Sequence, residues 1–187
     1  MTGIIMTRSI AMFILAVTTL VLSAGPALSG DTDVQDAFFN NIKQLCGARF
    51  EGVSVFPEDP GDAFRDKTLL AVIETCSDEV IRIPFHVGED TSRTWVLTRV
   101  DDGLELKHDH RHADGTPDEV TMYGGTTSSP GTGLSQSFPA DDYTAKLIPE
   151  AATNEWSLTL TADFNGMTYY LERHGKPRFK AMLKRVR

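Results

Sequence analysis

The chain has 187 residues, a formal charge of −8 and 41% hydrophobic residues. After Glu172 there are seven Lys or Arg and no acid, so residues 31–172 hold 10 basic against 26 acidic residues, a charge of −16. A body this acidic repels phosphate backbones, which argues against nucleic acid as a partner. The basic end is expected to be a last strand whose charged outer positions discourage edge-to-edge pairing.

Residues 1–29 carry the pattern of a secretory signal. Arg8 is the only charge before Asp31, Ile10 to Leu22 is an apolar run of 13 residues, and Ala27-Leu28-Ser29 forms a cleavage site before Gly30. The run is too short for a comfortable membrane span, and with no cysteine near the cleavage site no lipid anchor is expected. The reading is a periplasmic or secreted protein with no stable membrane span once the signal is removed. Residues 30–187 then form a single domain of about 158 residues, long enough for a core of its own.

The first element of that domain is a helix over 33–45, where Phe38, Ile42 and Leu45 recur at helical spacing and Gly47 follows as a stop. Cys46 and Cys76 are the only cysteines. In an oxidising compartment two cysteines most simply pair, here tying the helix to a sheet. Short, closely spaced strands follow at 49–56, 68–75, 79–87, 93–101, 104–112, 118–123, 155–163, 167–174 and 178–186, with a second helix over 140–148. The stretch 124–139, rich in Gly, Ser, Thr and Pro, is expected to be a long loop, a passive or disordered crossover rather than a lid. The pattern predicts a mainly β protein, a small antiparallel barrel with an N-terminal helix.

The stretch Leu104-Glu-Leu-Lys-His-Asp-His-Arg-His112 is the most informative. Alternation along a strand puts Leu104, Leu106, His108, His110 and His112 on one face, continuing an apolar row that looks inward. With Asp102-Gly103 as a two-residue turn, Arg99 faces Leu106, Leu97 faces His108, Trp95 faces His110 and Arg93 faces His112. The opposite face, with Glu105, Lys107, Asp109 and Arg111, is expected to be solvated. A three-residue turn at Asp114-Gly-Thr116 would bring Asp118, Val120 and Met122 beside the histidine row, and a two-residue turn Glu119, Thr121 and Tyr123.

Three chemistries suit this face. The leading one is a pocket for a small or anionic ligand, lined by Arg93, Trp95, Arg99, His108, His110 and His112, with the arginines keeping the imidazoles neutral. The second is a divalent transition metal on His108 and His110, whose Cα atoms lie roughly 6.6 Å apart along a strand. A third ligand would come from Asp118, His86 or Glu119, giving a metal-binding protein or a hydrolase that acidifies a bound water. The third is a structural or partner-binding domain whose histidines are satisfied internally. The sequence has no Gly-x-Ser-x-Gly, His-Glu-x-x-His, P-loop or Rossmann glycine pattern. His86 and His174 are expected at the surface.

Cys46-Gly-Ala-Arg-Phe-Glu-Gly52, the stretch from Ile81 to Arg99 around Pro84-Phe-His-Val-Gly-Glu-Asp90, Leu106-Lys-His-Asp-His-Arg-His112 and Val120-Thr-Met-Tyr-Gly-Gly125 resemble a family of uncharacterised secreted bacterial proteins. The resemblance implies a bacterial, exported protein and supplies no activity. In architecture alone the layout is similar to lipocalin-like barrels, which carries no function by itself.

Overall fold

The computed structural model describes residues 30–57 and 62–187, together with Met1 and Gly3. Those two apart, the predicted signal segment 1–29 lies outside the described residues. Helix α1 (Gly30–Lys43) is followed by β1 (Arg49–Phe56), β2 (Leu69–Val72), β3 (Thr75–Cys76), β4 (Val80–Val87), β5 (Asp90–Val100) and β6 (Gly103–His110). Then come β7 (Tyr123–Thr126), β8 (Ser135–Pro139), α2 (Asp142–Leu147), a 3-10 turn (Pro149–Ala151), β9 (Asn154–Leu160), β10 (Gly166–Arg173) and β11 (Lys176–Val186). The sheet is antiparallel and runs β7-β6-β5-β4-β2-β1-β11-β10-β9-β8, with β3 paired to β4. Its two ends meet where Gly125 bridges Ala140 and the Asp141 amide donates to the Gly124 carbonyl at 3.0 Å. The result is a nearly closed ten-strand barrel with an N-terminal helix, the architecture the strand pattern predicts.

Alternation fills the interior. Ile81, Ile83, Phe85 and Val87 point inward from β4, and Trp156, Leu158 and Leu160 from β9, all buried. Helix α1 plugs one end, burying Phe38, Phe39 and Ile42. Polar contacts hold the plug: Gln35 donates to Thr127 Oγ1 at 3.0 Å and Asn41 to the Gly133 carbonyl at 2.8 Å. The chain leaves the helix through Gly47, whose φ of 85° suits glycine. The predicted Cys46–Cys76 disulfide is formed, joining this turn to β3 with Cα atoms 6.2 Å apart.

Four expectations are corrected. The β5–β6 turn is Asp101-Asp102, not Asp102-Gly103, because Val100 pairs with Gly103. Gly103 serves close approach instead of the turn: a Cβ there would collide with Thr127 Oγ1 and Gln35 Oε1. Second, β7 begins at Tyr123, and 118–123 is no strand. Asp118 folds back to accept the Val120 amide at 2.9 Å, and Met122 has a φ of 57°. Third, 124–139 is not one loop, since β8 and all of β7 but Tyr123 lie within it and close the barrel. Fourth, the outer face of β6 is solvated only in part: Glu105 is half-buried, and Arg111, just past the strand, is exposed. Lys107 and Asp109 are buried, Lys107 paired to Asp141 and Asp109 held by Arg82 Nη2 at 2.6 Å and Arg111 Nε at 3.1 Å.

Candidate functional site: the open mouth of the barrel

The end of the barrel opposite α1 stays open and holds a cavity of about 610 Å3. Its floor is aromatic. Trp95 stacks on Phe85, at 4.3 Å between ring centroids, and on Tyr169, at 4.4 Å. Beside them His108 stacks on Tyr123 at 4.7 Å and leans on Trp156 at 5.2 Å. Both tryptophans of the chain therefore line the cavity.

The cations stand at the rim and come from three strands: Arg93 on β5, Arg173 at the end of β10 and Arg178 near the start of β11. Arg93 is paired to Asp90 and lies over the Phe64 ring at 5.5 Å. Arg173 donates through Nε to Asn154 Oδ1 at 2.8 Å, and Asn154 is buried at the start of β9. Asp62 is the single carboxylate among the described lining residues, and it accepts the Phe64 amide at 2.8 Å.

The titratable groups between floor and rim are neutral. His108 Nδ1 faces the Tyr123 carbonyl at 3.0 Å and must donate to it, so Nε2 accepts the Tyr169 hydroxyl hydrogen at 2.7 Å. Burial drives the His108 pKa down to about 3. His110 meets the Tyr123 hydroxyl at 3.1 Å through Nε2, and its pKa is lowered by burial and by Arg93. Burial raises the Tyr123 pKa to about 12 and that of Tyr169 well above its ordinary 10. Near neutral pH the positive charge of the mouth thus lies in its arginines, above an uncharged aromatic floor.

The β5–β6 pairing runs Arg93 to His110, Trp95 to His108, Leu97 to Leu106 and Arg99 to Leu104. Each partner is displaced by two residues from the predicted register. A two-residue displacement preserves strand parity, so the shared inner face survives. Arg93, Trp95, His108 and His110 come together in the mouth. Arg99 does not join them, because it sits at the plugged end, ion-paired to Asp36 and 4.2 Å over the Phe39 ring. His112 lies beyond the strand, exposed in the turn where its amide donates to the Thr116 carbonyl at 2.9 Å.

The predicted metal set does not assemble. Both His108 nitrogens are occupied within the fold, and the Asp118 carboxylate is turned to the Val120 amide. Among the described residues no three His, Cys, Asp or Glu side chains form a group able to hold a metal ion. Sequence reasoning missed Tyr169, Trp156, Asn154, Arg173 and Arg178. The strand candidates 167–174 and 178–186 were legible, but nothing local shows that they face the histidine strand across the barrel. Among the described residues no helix is long and apolar enough to cross a membrane. No family model, curated protein or solved structure matches this chain.

Proposed function

We propose that this chain is an exported binding protein that holds a small organic ligand in the mouth of its barrel. The cavity carries the reading. Its volume of about 610 Å3 falls within the range of small-molecule sites, roughly 300–1,000 Å3. It combines an apolar, aromatic body with a few convergent polar groups, the composition such sites use. The neutral, internally bonded His108 and Tyr169 give a rigid wall that needs no reorganisation on binding. Export is supported by the signal-like segment 1–29 and by the Cys46–Cys76 disulfide.

The test is native mass spectrometry of untagged mature protein purified from its own compartment, followed by intrinsic fluorescence. The expected result is a co-purified organic mass, released on unfolding, whose re-addition changes the emission of Trp95 and Trp156. Protein that arrives empty, with tryptophan emission and melting temperature unmoved by a panel of small organic acids, overturns the reading.

A further inference from the structure

We infer that the ligand of the mouth is an amphipathic organic anion whose acidic group is gripped by Arg173, flanked by Arg93 and Arg178, while its apolar body lies on the aromatic floor. This rests on the proposal that the mouth is a ligand site and adds the chemical class of the occupant and the residues that select it.

Arg173 is the centre of the argument. Its Nε is engaged by Asn154 at 2.8 Å, and its two Nη groups have no partner among the described residues. Asn154 is itself buried, 5% exposed, so it holds the guanidinium plane from within the barrel wall. A half-buried fork fixed at one nitrogen is pre-organised for a carboxylate, phosphate or sulfonate and loses little rotamer freedom on binding. Asn154 is a positioning residue in this arrangement, acting on the acidic group through Arg173.

The charge pattern points the same way. Residues 31–172 carry −16, yet the mouth gathers three guanidinium groups from three strands and a single described carboxylate, Asp62. Arg93 is partly offset by Asp90, whereas Arg173 and Arg178 have no carboxylate partner among the described residues. The surrounding imidazoles and phenols are neutral and supply no counter-charge. An apolar ligand would cover Arg173 and leave its donors unpaired, and a neutral acceptor would leave its charge without a counter-charge. An anion satisfies them, and the aromatic floor takes the remainder of the molecule.

The experiment uses two probes that differ by one sulfonate group: 1-anilinonaphthalene-8-sulfonate and its uncharged parent, N-phenyl-1-naphthylamine. Each is titrated into the mature protein at fixed ionic strength, with energy transfer from Trp95 and Trp156 reporting occupancy of the mouth. The expected result is at least tenfold tighter binding of the sulfonate, the size of one charge-assisted contact. Arg173→Gln should erase this ratio without changing the affinity for the uncharged probe. Asn154→Ala should reduce the ratio several-fold. Lys184→Gln, an equal charge change on the exposed outside of β11, should leave it intact. Arg173→Lys keeps the charge, loses the planar fork and should fall between wild type and Arg173→Gln, a check that survives if Arg173→Gln fails to fold. Equal binding of the two probes, or a ratio that Arg173→Gln and Arg173→Lys leave unchanged, overturns the anion clamp while the site itself stands. Binding of neither probe overturns the site and the clamp with it.

Discussion

Tyr169 on β10 donates its hydroxyl hydrogen to Nε2 of His108 on β6, across the barrel interior, at 2.7 Å. The two residues are 61 apart in sequence. With Nδ1 donating to the Tyr123 carbonyl, the bond fixes one tautomer of a buried ring. Tyr169→Phe leaves the buried Nε2 without a donor while keeping the aromatic stack on Trp95. The expected cost is about 1–3 kcal/mol, the desolvation penalty of an orphaned acceptor. Urea denaturation at pH 7.5 checks it, and a change below about 0.5 kcal/mol would mean the bond contributes nothing net.

The same burial gives the fold an acid-sensitive window. The folded pKa of His108 is lowered to about 3 from an ordinary 6.5. The unfolded chain takes up a proton that the folded ring refuses, so the contribution is fully present above pH 6.5 and is lost as pH falls towards 3. The slope is at most about 1.4 kcal/mol per pH unit from this one group. His110, lowered by burial and by Arg93, acts in the same direction. Burial opposes ionisation of Asp109, but hydrogen bonds from Arg82 and Arg111 hold its pKa below 3.8, so its contribution is lost only in stronger acid. Unfolding free energy measured between pH 7 and 4 is expected to decline, and less steeply in His108→Asn. A flat wild-type profile over that interval would contradict the neutral, buried assignment.

Barrel closure depends on Gly125. A Cβ at this position would collide with the Pro139 carbonyl oxygen, which belongs to the backbone of β8 and cannot swing aside. Gly125→Ala is expected to part β7 from β8 at a cost of about 1–3 kcal/mol. Hydrogen exchange should show the loss of protection concentrated at 123–126 and 135–140. Uniform protection would show that the seam accommodates the methyl group by a small shift.

The Cys46–Cys76 bridge closes a loop with a sequence separation of 30 and anchors α1, the plug of the closed end. In the chain-entropy model a loop of this length is worth about 3–4 kcal/mol. The double substitution Cys46→Ala with Cys76→Ala is expected to lower unfolding free energy by about that amount and leave the mouth at the far end unaltered. Loss of ligand binding in a variant that is still folded would contradict the separation of plug and mouth.

Much of the architecture was legible from alternation alone. The inner row Leu104, Leu106, His108 and His110 is a consequence of the two-residue period of a strand. It survived a misplaced turn because the register moved by two residues and kept its parity. The pairing of Cys46 with Cys76 followed from count and compartment. The strand predicted at 118–123 failed for a local reason, since Asp118 and Met122 bend the chain there by a side-chain cap and a positive φ that hydropathy does not report.

What the sequence determined by itself was the alternating pattern, and with it the mainly β fold, the inward face of the histidine strand and the presence of Arg93 and Trp95 on it. The tertiary structure decided the rest. Closure of the sheet put Arg99 under the helix plug and Arg93 at the open rim, although the two share one face of one strand. It also brought Tyr169, Asn154 and Arg173 to the mouth from strands that begin more than forty residues after His108. The physical reason is that alternation fixes which side of a sheet a residue faces, whereas its height in the barrel and its partner across the interior are set by shear and closure, which are non-local.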